Sequence, residues 1–183
     1  MGFEFDSLGW TTLLVCVGGT FLGNYAGATA IASEPAMRWY RWLRKPAFAP
    51  PRQSMALVFG VAWFLISIAG GLSVYLTITQ NMPDSAFYQL GISAYWATVF
   101  VGIVWTAVFF GARAIGAALA VLLIDLLLAV FTTVAFFFVY NVSGFLLLAL
   151  DVWLFYALML NVWIFNLNRG RKLVPAAAPS RKV

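Results

Sequence analysis

Five stretches of this chain, 7–33, 53–83, 85–112, 114–140 and 141–168, run almost without charge. Only the last two hold an acid, Asp125 and Asp151. Each stretch exceeds the ~20 apolar residues that a helix needs to cross a bilayer. Strands of a membrane barrel would alternate over segments of about 10 residues, and no such alternation is present. The rest of the composition agrees. Charged residues make up 9%, against about 25% in soluble domains, too few to cover a surface facing water. The reading is an all-α membrane protein, a bundle of five transmembrane helices over about 8–32, 52–80, 86–111, 114–139 and 143–167. Loop 1 covers 33–51, the single membrane domain 1–168, and a basic tail 169–183. The short links around Gly111-Ala112-Arg113 and Tyr140-Asn141-Val142-Ser143-Gly144 make the flanking spans antiparallel neighbours.

The basic residues set the orientation. All 11 lie in loop 1 (Arg38, Arg41, Arg44, Lys45, Arg52), in the third connection (Arg113) or in the tail (Arg169, Arg171, Lys172, Arg181, Lys182). Five spans bring these three segments to one side. The positive-inside rule then predicts the N-terminus outside and the C-terminus in the cytoplasm. The net charge of +5 belongs to this membrane pattern, and no nucleic acid is expected as a partner. The first span is expected to be retained, because residues 1–7 are acidic where a signal peptide is basic. Asp6 stands where a myristoylation signal needs Ser or Thr. The tail suits attraction to anionic lipid.

The sequence contains no histidine, which removes His-based metal sites, Ser-His-Asp and Cys-His catalysis, and axial His ligation of haem. Cys16 is the single cysteine and permits no internal disulfide. In loop 1, Arg38, Arg41 and Lys45 recur at helical spacing, and Pro46, Pro50 and Pro51 end any helix there. Two readings stand for this segment: an interfacial anchor of Trp, Tyr and Arg, or a lid over a pocket with its cations meeting an anionic group. Trp63, Trp96 and Trp153 lie about 15 Å deep in their spans. Each indole N–H needs an acceptor or a cavity at that depth, so they either line a site for a flat ligand or pack as large core residues. Gly19, Gly23 and Gly27, and Ala112, Gly116 and Ala120, mark close helix contacts, whether internal seams or a dimer face. Asp125 and Asp151 are intramembrane acids and thus functional candidates. Asp125 reads as a proton site or as a structural hydrogen-bonding group. Asp151 falls about 160° around its helix from Trp153.

Residues 39–51 spell Trp39-Tyr40-Arg41-Trp42-Leu43-Arg44-Lys45-Pro46-Ala47-Phe48-Ala49-Pro50-Pro51. This string is similar to the W-Y-x-x-L-x-K-P-x-x-x-P-P signature of the TspO, or tryptophan-rich sensory protein/translocator protein, family. Phe59 and Trp63 continue the pattern, as do Gln89, Leu90, Trp96 and Phe100 in span 3. Asp125-Leu126-Leu127 follows in span 4, and Trp153, Ala157, Leu160-Asn161 and Leu167-Asn168 in span 5. The resemblance covers about 10–168. Departures are Ile66-Ser67 for the family's Leu-Tyr, Ser93 for an asparagine, Ala149-Leu150 for Pro-Tyr, and the added acid Asp151. Span 5 also lacks a cholesterol-type motif after Tyr156.

The resemblance implies a five-helix bundle and a homodimer, with a larger pigment–protein complex as the other partner reading, and helical spans favour the bacterial inner membrane. It implies an integral membrane protein that binds protoporphyrin IX or a related tetrapyrrole without covalent cofactor or metal. Such a protein would act as receptor, carrier or regulator of pigment metabolism. The implied ligand-binding residues are Trp39, Tyr40, Trp63, Trp96, Trp153, Ala157 and Asn161. Arg38, Arg41 and Lys45 would contact anionic groups. Two alternatives follow: a small accessory or assembly subunit of a photosynthetic complex, and a light-dependent porphyrin-degrading enzyme acting through Trp39 and Trp153.

Overall fold

The computed structural model of the chain describes residues 7–31, 34–51 and 54–170. The acidic start at 1–6, Arg52 and the tail cations Arg171, Lys172, Arg181 and Lys182 lie outside the described residues. Six α-helices are found among the described residues, with no strand: α1 (Ser7–Ile31), α2 (Glu34–Trp42), α3 (Met55–Ile78), α4 (Ala86–Thr106), α5 (Ile115–Val139) and α6 (Asn141–Asn168). A π-helical turn, Ala107–Gly111, extends α4. Among the described residues, four segments are long and apolar enough to cross a membrane: Leu57–Thr79, Ala86–Gly111, Ile115–Val139 and Asn141–Asn168.

The long helices close a ring. α1 packs on α3, α3 on α6, α6 on α5, α5 on α4, and α4 returns to α1. Outward from the ring stand large apolar side chains, among them Leu14, Leu22, Leu65, Phe100, Leu127, Phe138 and Val152. Inside it lie Thr20, Ser67, Ser73, Thr77, Thr132, Ser143 and Asn161. Small and polar groups within and large apolar groups without is the arrangement that lipid favours. Helix association there relies on close packing and hydrogen bonds rather than on burial of apolar surface.

Those hydrogen bonds cross between helices. Ser73 Oγ donates to the Ser143 carbonyl at 2.7 Å, tying α3 to α6. Asn24 Nδ2 donates to Ser67 Oγ at 2.8 Å, tying α1 to α3. Thr20 Oγ1 and Tyr95 Oη lie 2.6 Å apart, tying α1 to α4.

Glycines let the helices approach. A Cβ on Gly71 would stand 2.5 Å from Val17 Cα, so α1 and α3 touch backbone to backbone there. A Cβ on Gly19 would meet the Trp96 ring at 3.1 Å, and one on Gly23 would meet Val99 Cγ1 at 2.5 Å. The small stripe of α1 is therefore an inner seam against α4 at both positions. Gly116 is likewise an inner contact, since a Cβ there would stand 3.2 Å from the Phe165 ring of α6.

One end of the ring is capped. Trp39, Tyr40 and Leu43 of α2 pack with Phe109 and Phe110 of the π turn, with Ile115 and Ala118 at the start of α5, and with Leu160 and Ile164 of α6. The π turn makes this cap. Its wider register brings both Phe109 and Phe110 inward, although neighbours in an α-helix point about 100° apart. Arg113, at φ 56°, then reverses the chain in the left-handed region. A side-chain clamp fixes the cap from the other flank. Asn168 Oδ1 accepts from Arg44 N at 3.0 Å, and its Nδ2 donates to the Arg44 and Ile164 carbonyls at 2.9 and 2.7 Å.

Candidate functional site

Beneath this cap the ring encloses a cavity of 510 Å³, inside the about 300–1,000 Å³ of small-molecule sites. Three helices contribute the same i, i+3, i+4, i+7 face to it: Gly60, Trp63, Phe64 and Ser67 of α3, Gly102, Trp105, Thr106 and Phe109 of α4 and its π turn, and Ala157, Leu160, Asn161 and Ile164 of α6. Met37 and Tyr40 of α2 form the roof, and Phe21, Asn24 and Tyr25 of α1 the remaining wall. Phe21, Tyr25 and Phe64 line the cavity while 42%, 59% and 52% exposed. The α1–α3 wall therefore reaches the outer face of the bundle. There Phe21 meets Phe64 edge to face at 6.3 Å.

The walls are aromatic and carry a few polar groups. Trp105 stacks on Phe109 with ring centroids 5.5 Å apart, and Tyr40 meets Phe109 and Phe110 at 6.1 and 5.6 Å. Two buried atoms on wall residues, Trp105 Nε1 and Asn161 Oδ1, have no hydrogen-bond partner among the described residues. Burial pushes the Tyr40 hydroxyl up to about 12, with the nearby Tyr156 adding to the shift, so the roof keeps a neutral phenol. A buried donor and a buried acceptor in an otherwise apolar aromatic chamber suit a flat ligand with a few polar edges.

Of the seven ligand-binding residues expected from the sequence, the structure brings Tyr40, Trp63, Ala157 and Asn161 together on the cavity wall. The other three stand behind it. Trp39, 2% exposed, packs edge to face on Phe109 at 5.4 Å and so supports the roof. Trp153 lies edge to face against Phe59 at 5.3 Å and Trp63 at 6.2 Å. Trp96 fills the space over Gly19 beside Tyr95.

The loop 1 cations are engaged within their own segment. Arg38 and Arg41 pair with Glu34 at 3.3 and 3.4 Å on the exposed side of α2. Lys45 Nζ donates to the Tyr40 carbonyl at 2.7 Å and lies 4.3 Å from the Tyr40 ring centroid. It thus ties the segment after α2 back onto that helix.

Two departures fall away from the cavity. Ser93 is exposed and donates to the Gln89 carbonyl of its own helix. Asp151 is half-buried, its Oδ1 enclosed beside Thr133 of α5.

Sequence reasoning misses Trp105, Phe109 and Phe110. The signal was present: 102, 105, 106 and 109 repeat the spacing of 60, 63, 64, 67 and of 157, 160, 161, 164. Depth in the span selects Trp96 instead, and depth does not say which way an indole points.

A family model for the TspO/MBR family matches residues 11–167. The chain is 32% identical over 151 residues to the human Translocator protein, covering 81% of this chain and 85% of that one. It is 33% identical over 149 residues to Protein CrtK of Rhodobacter capsulatus, covering 80% and 88%. It is 30% identical over 155 residues to the Tryptophan-rich sensory protein of Cereibacter sphaeroides, covering 82% and 92%. With this agreement along nearly its whole length, the chain belongs to the TspO/MBR family.

Proposed function

We propose that this protein is a five-span membrane receptor or carrier for a tetrapyrrole, binding protoporphyrin IX or a close relative in the cavity beneath α2. The observation that carries the reading is the 510 Å³ chamber walled by Trp63, Trp105, Phe109 and Tyr40. Indole and phenyl faces stack on a planar macrocycle. Trp105 Nε1 and Asn161 Oδ1, on two wall residues and without a partner among the described residues, would supply one donor and one acceptor to its polar edge. The propionates would lie toward α2, where Arg38 and Arg41 would exchange Glu34 for a ligand carboxylate.

On this reading α1 is the fifth span, in the inner membrane of a bacterium. The N-terminus is outside and the C-terminus cytoplasmic. Support comes from the clustering of Arg44, Arg113 and Arg169 at the capped end, where α2, the π turn and the end of α6 meet. One cytoplasmic face for these cations is what the positive-inside rule expects.

The test is a protoporphyrin IX titration of detergent-purified protein in the dark, followed by tryptophan fluorescence. Saturable quenching is expected, with about one ligand per chain. Quenching that stays linear with ligand concentration would overturn the assignment.

A further inference from the structure

A second, smaller chamber adjoins the main cavity. It measures about 20 Å³, which is room for one water-sized group. Asn24, Trp63 and Gly102 line both spaces. Its remaining wall includes Thr20, Tyr95, Thr98 and Asp125. Asp125 is 1% exposed, and its Oδ1 has no hydrogen-bond partner among the described residues. A Cβ on Gly102, which lines both spaces, would lie 3.7 Å from Asp125 Oδ2, so this glycine stands between the carboxyl and the main cavity with no side chain of its own.

The hydroxyl protons around this chamber are all committed elsewhere. Thr20 Oγ1 donates to the Cys16 carbonyl at 2.8 Å. A hydroxyl has one proton, so in the 2.6 Å contact between Thr20 and Tyr95 it is Tyr95 that donates. Thr98 Oγ1 donates to the Ala94 carbonyl at 3.0 Å. One N–H of the Asn24 amide goes to Ser67. What these hydroxyls present to the chamber is lone pairs, and Asp125 adds a carboxyl. An acceptor-rich recess with a buried acid takes a donor. Burying the acid alone is costly, and a cationic donor offsets that cost more fully than a neutral one.

We propose that this recess is a subsite for the ammonium end of an amphipathic amine, with Asp125 as its counter-charge and the apolar body in the main cavity. The chain would thus select basic ligands in addition to flat ones. The claim does not rest on tetrapyrrole binding, since a porphyrin has no ammonium group to place there.

The test uses two ligands that differ in one group, 1-naphthylmethylamine and 1-naphthylmethanol, titrated calorimetrically into the full-length protein in detergent. The amine should bind at least about tenfold more tightly than the alcohol, the range of a hydrogen bond to a charged group. In Asp125→Asn that ratio should fall to about one, through a loss of affinity for the amine that exceeds any loss for the alcohol. Should Asp125→Asn fail to fold, Gly102→Val, which fills the approach to the carboxyl, should collapse the ratio in the same way. Equal affinities in the wild type would overturn the proposal, as would weak or absent binding of both ligands. So would a preference for the amine that survives either substitution.

Discussion

Among the described glycines, Gly71 alone would press an added methyl group onto the backbone of another helix, where α1 and α3 meet. A methyl group added there would meet the Val17 Cα and the Cys16 carbonyl as well as Val17 Cγ2, and the two backbone atoms cannot rotate away. Gly71→Ala should therefore lower the stability of the detergent-solubilised protein by about 1–3 kcal/mol, the range of overpacked sites. Gly60 gives the matching control. A Cβ there meets nothing within 4 Å, so Gly60→Ala should leave the thermal midpoint unchanged or slightly raised, since Ala is the better helix former. Equal midpoints for the two variants would contradict the close α1–α3 approach. Tryptophans behave differently at this scale. Trp63 and Trp105 line the cavity, while Trp39, Trp96 and Trp153 are packed behind it. No single-residue property separates these groups, because an indole at any of the positions satisfies the same apolar surroundings.

At the scale of elements, α2 is the part whose stability is borrowed. A helix of 9 residues is marginal alone and depends on what it touches. Two anchors hold it: the Trp39–Tyr40–Phe109–Phe110 cluster and the Asn168 clamp on Arg44. Asn168→Leu removes the clamp and leaves the Arg44 N–H and carbonyl unpaired, at a cost of about 1–3 kcal/mol. Amide hydrogen exchange in residues 34–45 should then accelerate, while α3 to α6 keep their protection. Uniform acceleration along the chain would mean that the lid does not open as a unit.

This element level is also where the sequence is most informative. The apolar runs mark out α3 to α6 because charges are too costly in lipid to interrupt them. The spacing of Arg38, Arg41 and Lys45, with the prolines after it, announces a short helix in loop 1. The π turn is not announced. Its five residues, Ala107–Gly111, read as the end of an ordinary helix, and only the packing of both phenylalanines against α2 selects the wider register. Trp105 and Phe109 escape notice for the same reason. Their shared face with Gly102 and Thr106 is regular, but nothing in span 3 alone says which regular face turns inward.

At the scale of the whole molecule, the ring order α1–α3–α6–α5–α4 and the capped end define two faces. Asp84 lies in the α3–α4 connection, and Arg113 lies at the capped end. In a Cys16→Ala background, a cysteine replacing Asp84 should react with an impermeant maleimide applied outside intact cells. One replacing Arg113 should react only after permeabilisation. The opposite pattern would invert the proposed orientation. The chamber adds a claim about the whole molecule, since its wall draws on α1, α2, α3, α4 and α6. The most direct measurement of that claim is the affinity for protoporphyrin IX, in the dark, of three variants beside the wild type. Ala157→Phe sends a ring into the chamber and should weaken binding at least tenfold, about 1.4 kcal/mol. Trp63→Phe shortens a wall and should weaken it several-fold. Trp153→Phe, altered behind the wall, should weaken it less than Trp63→Phe. Tight binding retained by Ala157→Phe would contradict the account, because the ligand would then lie somewhere other than the chamber under α2.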